Sequence, residues 1–439
     1  MNVGKRHKWI MLGLLSCAFF FHQADRALFG LLTIPIQDEL ELTDLQIGWI
    51  NTALFCTLAL ATPVAGVLGD RFSRKWIITF SLLFWSLMTA CTGFVGGFCG
   101  LVFFRSVATG GGEAFYCPSA YALLATHHRE TRAVAFSVHQ SALYIGLMFS
   151  GALVAWALHL LGGWRPVFFT FGGLGFLLGV VFVWALKERP PCAADAQPQA
   201  EPESPATRPP VAKAICAFLM NPAALCAMGG YIAIVFTNNA YMSWAPKFFA
   251  RKFDTLTIGA AGFGSMFWHH LAALVAILAS GVLTDRLVRR NARARPFIQG
   301  VMTLLGAPTL VWVGFAPSVV SIWTAVAAYG LFRGLAEVNT HPSLFDVVPP
   351  AYRSTAEGVM NLITFLIGST SPLLLGALSD RYGVRGFELG FAALGGVYVL
   401  GALSMFVSYR YFFRRHHVDE DVPDQQPQVV RADHGRDRP

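Results

Sequence analysis

Arg105 and Glu113 stand eight residues apart (113 − 105 = 8) in Phe104-Arg105-Ser106-Val107-Ala108-Thr109-Gly110-Gly111-Gly112-Glu113-Ala114-Phe115-Tyr116-Cys117-Pro118, a stretch of otherwise membrane-like character. An ionisable side chain at the centre of a bilayer costs roughly 2.5–3.5 kcal/mol even on a lenient insertion scale, so such groups are rarely kept without a use. Arg105, Thr109, Glu113 and Cys117 follow one another at four-residue steps, which on a helix traces one slowly drifting face. His22, Asp25 and Arg26 form a second charged set inside an apolar run; His22 and Arg26 share a face, with Asp25 beside them. Arg333, Glu337 and His341 form a third, again at four-residue steps. Low dielectric disfavours the charged form of a carboxylate, so Asp25 and Glu113 are the candidates to load and release a proton. Arginine keeps its charge, which makes Arg26 and Arg105 counter-ions to those carboxylates or bidentate clamps for the carboxylate of a substrate.

The elements that must position these groups are membrane-length. The chain has 439 residues, of which 55% are hydrophobic and 13% charged, with a mean hydropathy of +0.52. Soluble globular chains carry about 25% charged residues, so this composition describes an integral membrane protein. Apolar runs fall at about 9–36, 45–69, 75–97, 98–126, 132–161, 164–187, 223–250, 257–283, 295–316, 317–346, 353–378 and 384–413, each long enough to cross a hydrocarbon core. The expected fold class is an all-α membrane protein with twelve transmembrane helices in two pseudo-symmetric six-helix bundles. The bundles are read as residues 1–187 and 213–415, joined by a Pro-rich cytoplasmic linker, 188–212, and followed by a polar, disordered cytoplasmic tail, 416–439. Lys5, Arg6 and Lys8 before an apolar run ending at Cys17 imitate a cleavable leader; the run continues past Cys17, which favours an uncleaved first span.

Charge placement sets orientation and excludes partners. The net charge of +8 is concentrated in alternate loops, at Arg71, Arg74 and Lys75, at Arg129 and Arg132, and at Arg286, Arg289, Arg290, Arg293 and Arg295. Residues 37–44 carry Asp38, Glu39, Glu41 and Asp44 with no Lys or Arg, so both termini are expected in the cytoplasm. That pattern argues against nucleic acid as a partner. The eight cysteines form no CxxC pair, and neighbouring His269 and His270 point about 100° apart on a helix, so no disulfide framework, metal site or cofactor is expected. Nor is there a nucleophile elbow, an HExxH helix or a phosphate-binding P-loop; Ser137-Val138-His139 comes nearest and lacks a carboxylate at suitable spacing. An enzyme or a directly ATP-driven pump is therefore not expected.

The two halves repeat. Glu113 and Pro118 have counterparts in Glu337 and Pro342, an offset of 224 (337 − 113), with Ser119 and Ser343 next in line. Gly66-Val67-Leu68-Gly69-Asp70-Arg71, followed by Arg74-Lys75, recurs as Gly281-Val282-Leu283-Thr284-Asp285-Arg286, an offset of 215 (285 − 70). In both loops the glycine allows close helix approach and the arginines remain in cytoplasmic water; Asp70 is expected to cap the helix that follows. Parallel repeats with a site at their interface are a transporter plan. His139, Gln140, Tyr144, Asn238, Asn239, Trp244, His269 and Asn361 add polar groups within spans. Each one alone reads equally as interhelical glue; their clustering in a few spans favours a lined cavity.

The membrane portion resembles the major facilitator superfamily, on the repeated Gly-Asp-Arg loop. Within it, Asp25-Arg26, Arg105…Gly112-Glu113-Ala114 and Trp244-Ala245-Pro246 resemble two groups. One is the anion:cation symporter group, which moves sugar acids and other small carboxylates with protons; the other is the Spinster-like group, linked to lysolipid-type substrates. The Arg105-to-Glu113 spacing is one residue longer than the pattern, with a third glycine. The resemblance implies a bacterial inner-membrane transporter working by alternating access, monomeric in the lipid bilayer, that couples protons to a small-molecule substrate. The leading expectation is symport of a small organic anion such as a sugar acid. Asp25 and Glu113 would carry the proton, and the substrate would meet Arg26, Arg105, His22, His139, Gln140, Tyr144, Asn238, Asn239, Trp244, Glu337, His341 and Asn361. Gly66, Asp70, Arg71, Arg74, Gly281, Asp285 and Arg286 would form the cytoplasmic gating loops. An amphiphile transporter and a neutral sugar permease are the alternatives.

Overall fold

A computed structural model of the chain describes residues 3–128, 131–187, 211–288, 291 and 293–418. It is built from helices, which we number by membrane span. Helix α1 is Val3–Leu31, continued by Thr33–Leu40; α2 is Asp44–Arg71 and α3 is Arg74–Thr92. Helix α4 runs in pieces, Phe98–Gly100, Leu101–Ala108, Thr109–Glu113 and Tyr116–His127; α5 is Arg132–Leu161 and α6 Trp164–Ala185. After the short helix Val211–Leu219 come α7, Pro222–Lys252, α8, Ile258–Val288, and α9, Ala294–Phe315. Helix α10 is Val319–Glu337 with Thr340–Phe345, α11 is Arg353–Gly368 with Ser371–Tyr382, and α12 is Val384–Val407 with a short continuation to His416. Ten of these twelve spans are long and apolar enough to cross a membrane on length and hydropathy alone. The two that fall short are α1 and α4, the spans that carry His22, Asp25, Arg26, Arg105 and Glu113. Their charge lowers the hydropathy of the first and coincides with the breaks in the second.

The packing is two-fold. Helix α1 lies on α5, α2 on α4 and α3 on α6; the equivalent pairs α7 on α11, α8 on α10 and α9 on α12 recur in the second half. The bundles meet along α2–α11 and α5–α8, which are equivalent under the same repeat, and along α1–α7. The α5–α8 crossing is very close: a Cβ on Gly151 would lie 2.5 Å from the backbone carbon of Gly262. No side chain larger than hydrogen fits there.

The seam concentrates at the acidic end of the molecule. Asp44, at the start of α2, is held by Lys247 of α7, and it accepts from Ser379 Oγ of α11 at 2.5 Å and from Gln37 Nε2 at 2.7 Å. Lys247 Nζ also donates to Gln37 Oε1 at 2.6 Å. The Asp380 carboxylate accepts the backbone N–H groups of Asp44 and Leu45, each at 2.8 Å, and so caps α2 from the opposite bundle. Deeper along the same seam, Thr52 Oγ1 donates to Ser369 O at 2.7 Å.

At the basic end, α3 starts behind Ser73, whose hydroxyl accepts from Trp76 N at 3.4 Å. Ser73 takes the capping role expected of Asp70, because it immediately precedes the first turn. Arg71 and Arg286 are exposed there, Arg74 opens α3, and a Cβ on Gly66 would meet nothing within 4 Å. The side chains of Asp70 and Asp285 and the surroundings of Gly281 lie outside the described residues, as do 188–210 of the expected linker and 419–439 of the expected tail. Val211 and Ala212, read as linker, begin the helix Val211–Leu219. The described start of the tail folds back on the second bundle, with Val418 N donating to Asp346 O at 2.9 Å.

Candidate functional site

The charged residues of α1 and α4 meet, but not as sequence neighbours. Asp25 pairs across helices with Arg105, Nη1 to Oδ2 at 3.7 Å, and accepts from Thr89 Oγ1 of α3 at 3.0 Å. Arg105 Nη2 also donates to the backbone oxygens of Asp25 and Arg26, at 3.0 and 3.1 Å. Arg26 in turn reaches Glu113 Oε2 at 3.4 Å, and His22 Nε2 stands 3.7 Å from the same oxygen. The local alternatives, Asp25 with its neighbour Arg26 and Arg105 with Glu113 along one helix, give way to a crossed arrangement. Its geometric reason lies in α4. Leu101–Ala108 is a π-helix, with Thr109 N donating to Phe104 O five residues back. A wide turn absorbs one extra residue, so the long spacing with its third glycine leaves both Arg105 and Glu113 facing α1.

Glycine makes that approach possible. A Cβ on Gly112 would stand 2.8 Å from the Phe84 ring and 3.1 Å from Trp85 Cβ, and one on Gly110 would stand 2.9 Å from Leu54. Ser81 Oγ of α3 donates to Gly112 O at 2.7 Å and ties the glycine segment down. The result is a charged cluster with little water: Arg105, Glu113 and His22 are each 1% exposed and Asp25 is 4% exposed. Arg26 alone reaches outward, with 26% of its side chain accessible. Asp25 Oδ1, Glu113 Oε1, Arg26 Nε and Arg105 Nε have no hydrogen-bond partner among the described residues. Buried polar atoms in that state are costly, and they are the exception in folded proteins.

Other residues expected in the site divide by position. His139 is fully buried behind the cluster, stacked on Phe19 with ring centroids 4.3 Å apart and 3.3 Å from the Tyr116 hydroxyl. Tyr116 itself donates to Leu15 O at 2.6 Å. Gln140 is exposed and accepts from Tyr121 at 2.7 Å. Trp244 is fully buried, its indole N–H bonded to Pro372 O at 2.9 Å. It packs within the second bundle, between Pro372 of α11 and the Phe387 ring of α12, whose centroid is 5.2 Å away.

The second bundle supplies its own constellation. Arg333 Nη2 pairs with Glu337 Oε2 at 2.8 Å, and Arg333 Nη1 meets His269 Nε2 of α8 at 3.1 Å. His341 pairs with Glu357 of α11 at 3.4 Å. Tyr144 of α5 is half-buried in the first bundle. Asn238 and Asn361 are half-buried with Oδ1 unpartnered, and buried Asn239 has Nδ2 unpartnered, among the described residues. Sequence reasoning passed over Lys247, Asp380 and Glu357, and read Asp44 only as a loop charge. A census of ionisable residues within spans would have found Lys247, one residue beyond Pro246.

The sequence profile of the Major Facilitator Superfamily matches residues 14–372 and 271–433. The chain is 26% identical over 401 residues to "Protein spinster homolog 1" of Xenopus tropicalis, covering 87% of this chain and 74% of that protein. It is 25% identical over 422 residues to the "D-galactonate transporter" of Escherichia coli O6:H1, covering 91% of this chain and 95% of that one. Among solved structures, a bacterial homolog of the human lysosomal transporter Spinster, inward-facing and unoccupied, superposes with a TM-score of 0.81 at 20% identity, over 94% of this chain and 99% of that one. The nucleoside transporter NupG superposes with a TM-score of 0.69 at 14% identity, over 91% and 99%.

Proposed function

The chain belongs to the major facilitator superfamily of multi-pass membrane transporters, and we propose that within it this protein is a proton-coupled symporter of a small organic anion. The observation that carries the reading is the Arg26–Glu113 contact at 3.4 Å, in which the carboxylate is buried and the guanidinium is accessible. With Glu113 charged, Arg26 is held. Once Glu113 takes a proton its negative charge is gone, and Arg26 is free to bind a substrate carboxylate in two-pronged fashion. Proton and anion then favour each other's binding, which is the thermodynamic requirement for coupling. His22, close to the same Glu113 oxygen, is placed to pass the proton.

Arg105 takes a different part in this reading. Almost wholly buried, with one nitrogen bonded to two α1 carbonyls, it positions the α1 segment that bears Asp25 and Arg26 and neutralises Asp25. The seam at the acidic end is the closed outer gate, the basic end is the cytoplasmic face, and the two bundles rock about the site between them. The orientation rests on the loop charges, and the likeness to an inward-facing unoccupied structure supports the conformer assignment. The D-galactonate transporter among the relatives supports a sugar acid or related carboxylate. The Spinster-type relatives favour a second reading, transport of an amphiphile.

One experiment separates them. The protein is reconstituted into liposomes, a proton gradient is imposed, and uptake of labelled sugar acid is competed with gluconate-type acids, neutral sugars and lysolipid. Gradient-driven uptake competed by acids alone is the expected result. Uptake indifferent to the gradient, or competed only by lysolipid, overturns it.

A further inference from the structure

Between the end of α3 and the start of α4, at the acidic end of the molecule, the surface sinks into a cavity of about 590 Å3. Small-molecule sites span about 300–1,000 Å3, so the size is that of a binding site. Its walls are Cys91, Phe94, Val95, Phe98, Cys99 and Phe104, with three glycines among them. None of these side chains carries a charge, an oxygen or a nitrogen. The backbone of the turn is already taken. Gly93 O and Val95 O both accept from Arg165 Nη1 of α6, at 2.9 and 2.7 Å, and Glu39 Oε1 holds Arg165 Nε at 2.8 Å. Phe104 O accepts from Thr109, through its N–H and through its hydroxyl at 2.8 Å. A polar ligand would find little here to bond.

The cavity opens on the lipid side. Phe94 at its rim is 78% exposed, and Cys99, Phe103 and Val107, at four-residue steps along α4, form an exposed apolar stripe that runs down from it. Apolar cavities stay dry, and an empty one deprives its walls of dispersion contacts on one side. In a bilayer the apolar material at hand is lipid. We propose that this cavity is a binding site for an acyl chain of a resident bilayer phospholipid, in the leaflet at the acidic end. The site borders the charged cluster without belonging to it. Phe104, one of its walls, immediately precedes Arg105 and bears the carbonyl that closes the π-helical turn with Thr109. A chain against the Phe104 ring therefore packs directly on that turn. Gly97 offers a way to fill the space from the protein side. A Cβ there meets nothing within 4 Å, and its φ of 174° is extended backbone that any residue adopts. Gly100 does not, since a Cβ there would lie 2.6 Å from Val95 Cγ1.

The test places the full-length protein in nanodiscs of phosphatidylethanolamine and phosphatidylglycerol, doped with a phospholipid that carries a diazirine in its acyl chain. After irradiation the crosslinked residues are mapped by peptide mass spectrometry. The Phe94–Phe104 segment should carry more crosslink per exposed residue than Leu174, Leu177 and Val181, exposed apolar residues of α6 that serve as the reference. Gly97→Trp should lose that excess and leave the α6 crosslinks as they were. A passing amphiphile is the rival occupant, so lysolipid added in solution should not displace the crosslink. The wild-type comparison needs no variant, so a folding defect in Gly97→Trp does not decide the outcome. No excess in the wild type, an excess that survives in folded Gly97→Trp, or displacement by lysolipid each overturns the resident lipid.

Discussion

Lys247 of α7 grips Asp44 of α2 across the seam between the bundles, and both side chains are largely buried, at 7% and 11% exposed. The same Asp44 is bonded to Ser379 and Gln37, and its backbone N–H is capped by Asp380. Removing one partner of a buried pair leaves the other charged and unsolvated, at a cost of about 3–5 kcal/mol. Lys247→Ala should therefore destabilise the conformer closed at the acidic end relative to the one open there. The native Cys56, 3.1 Å from Ser369 Oγ along the same seam, is the reporter. Its rate of labelling by a membrane-impermeant maleimide, resolved by mass spectrometry, should rise in Lys247→Ala and in Asp44→Asn. Labelling unchanged in both would remove the seam from any gating role.

Glu113→Gln fixes the neutral state of the side chain that holds Arg26. Gradient-driven uptake should fall at least tenfold, while exchange of substrate without a gradient persists. Substrate affinity should lose its pH dependence over the range in which the wild type gains affinity on acidification, because the titrating group is gone and Arg26 is already released. The comparison is of uptake and counterflow in the same vesicles. Wild-type gradient-driven uptake by the variant would take the proton from Glu113.

The spans and the two-fold plan were legible because they rest on local quantities. Twelve apolar runs, each of membrane length, need no tertiary information, and the paired Glu-to-Pro spacings at Glu113 and Glu337 betray the repeat. The costly charges were equally visible as candidates. Which carboxylate meets which arginine was not, because the answer depends on the π-helical turn at Leu101–Ala108 and on how α4 crosses α1. An eight-residue spacing read on a regular helix puts Arg105 and Glu113 on one face, as found, but does not say which α1 residue each one meets. The packing of Trp244 was not legible either, because burial between helices of one bundle and burial beside a cleft look alike in one chain. The Lys247–Asp44 bond spans two distant spans, and nothing local pairs them.

The three consecutive glycines are not equivalent. A Cβ on Gly112 meets Phe84 at 2.8 Å and Trp85 at 3.1 Å, and one on Gly110 meets Leu54 at 2.9 Å, whereas one on Gly111 finds only Thr57 Cγ2, at 3.9 Å. All three lie in helical backbone, where alanine is better than glycine by about 0.5–1 kcal/mol. Gly111→Ala should therefore be neutral or slightly stabilising and transport normally. Gly112→Ala should lower thermal stability and transport together, since the clash moves α4 away from α3 and takes Glu113 with it. Thermal denaturation in detergent and vesicle uptake read both. Equal effects at the two positions would mean that the segment is needed for flexibility rather than for close approach.

Arg105 and Asp25 make the last test, because they separate positioning from proton carriage. Arg105→Ala strands a buried carboxylate and two carbonyl bonds, so it should destabilise by about 3–5 kcal/mol, the usual cost of breaking a buried pair. Arg105→Lys keeps the charge and loses the flat fork that spans Asp25 O, Arg26 O and the Asp25 carboxylate; it should fold and transport with a raised KM. The double variant Arg105→Ala with Asp25→Asn removes both charges and should be more stable than Arg105→Ala alone. If stability returns while the KM stays high, Arg105 sets the geometry of the α1 segment that presents Arg26. If the double variant is no more stable than the single one, Asp25 is not the partner that Arg105 is kept to neutralise.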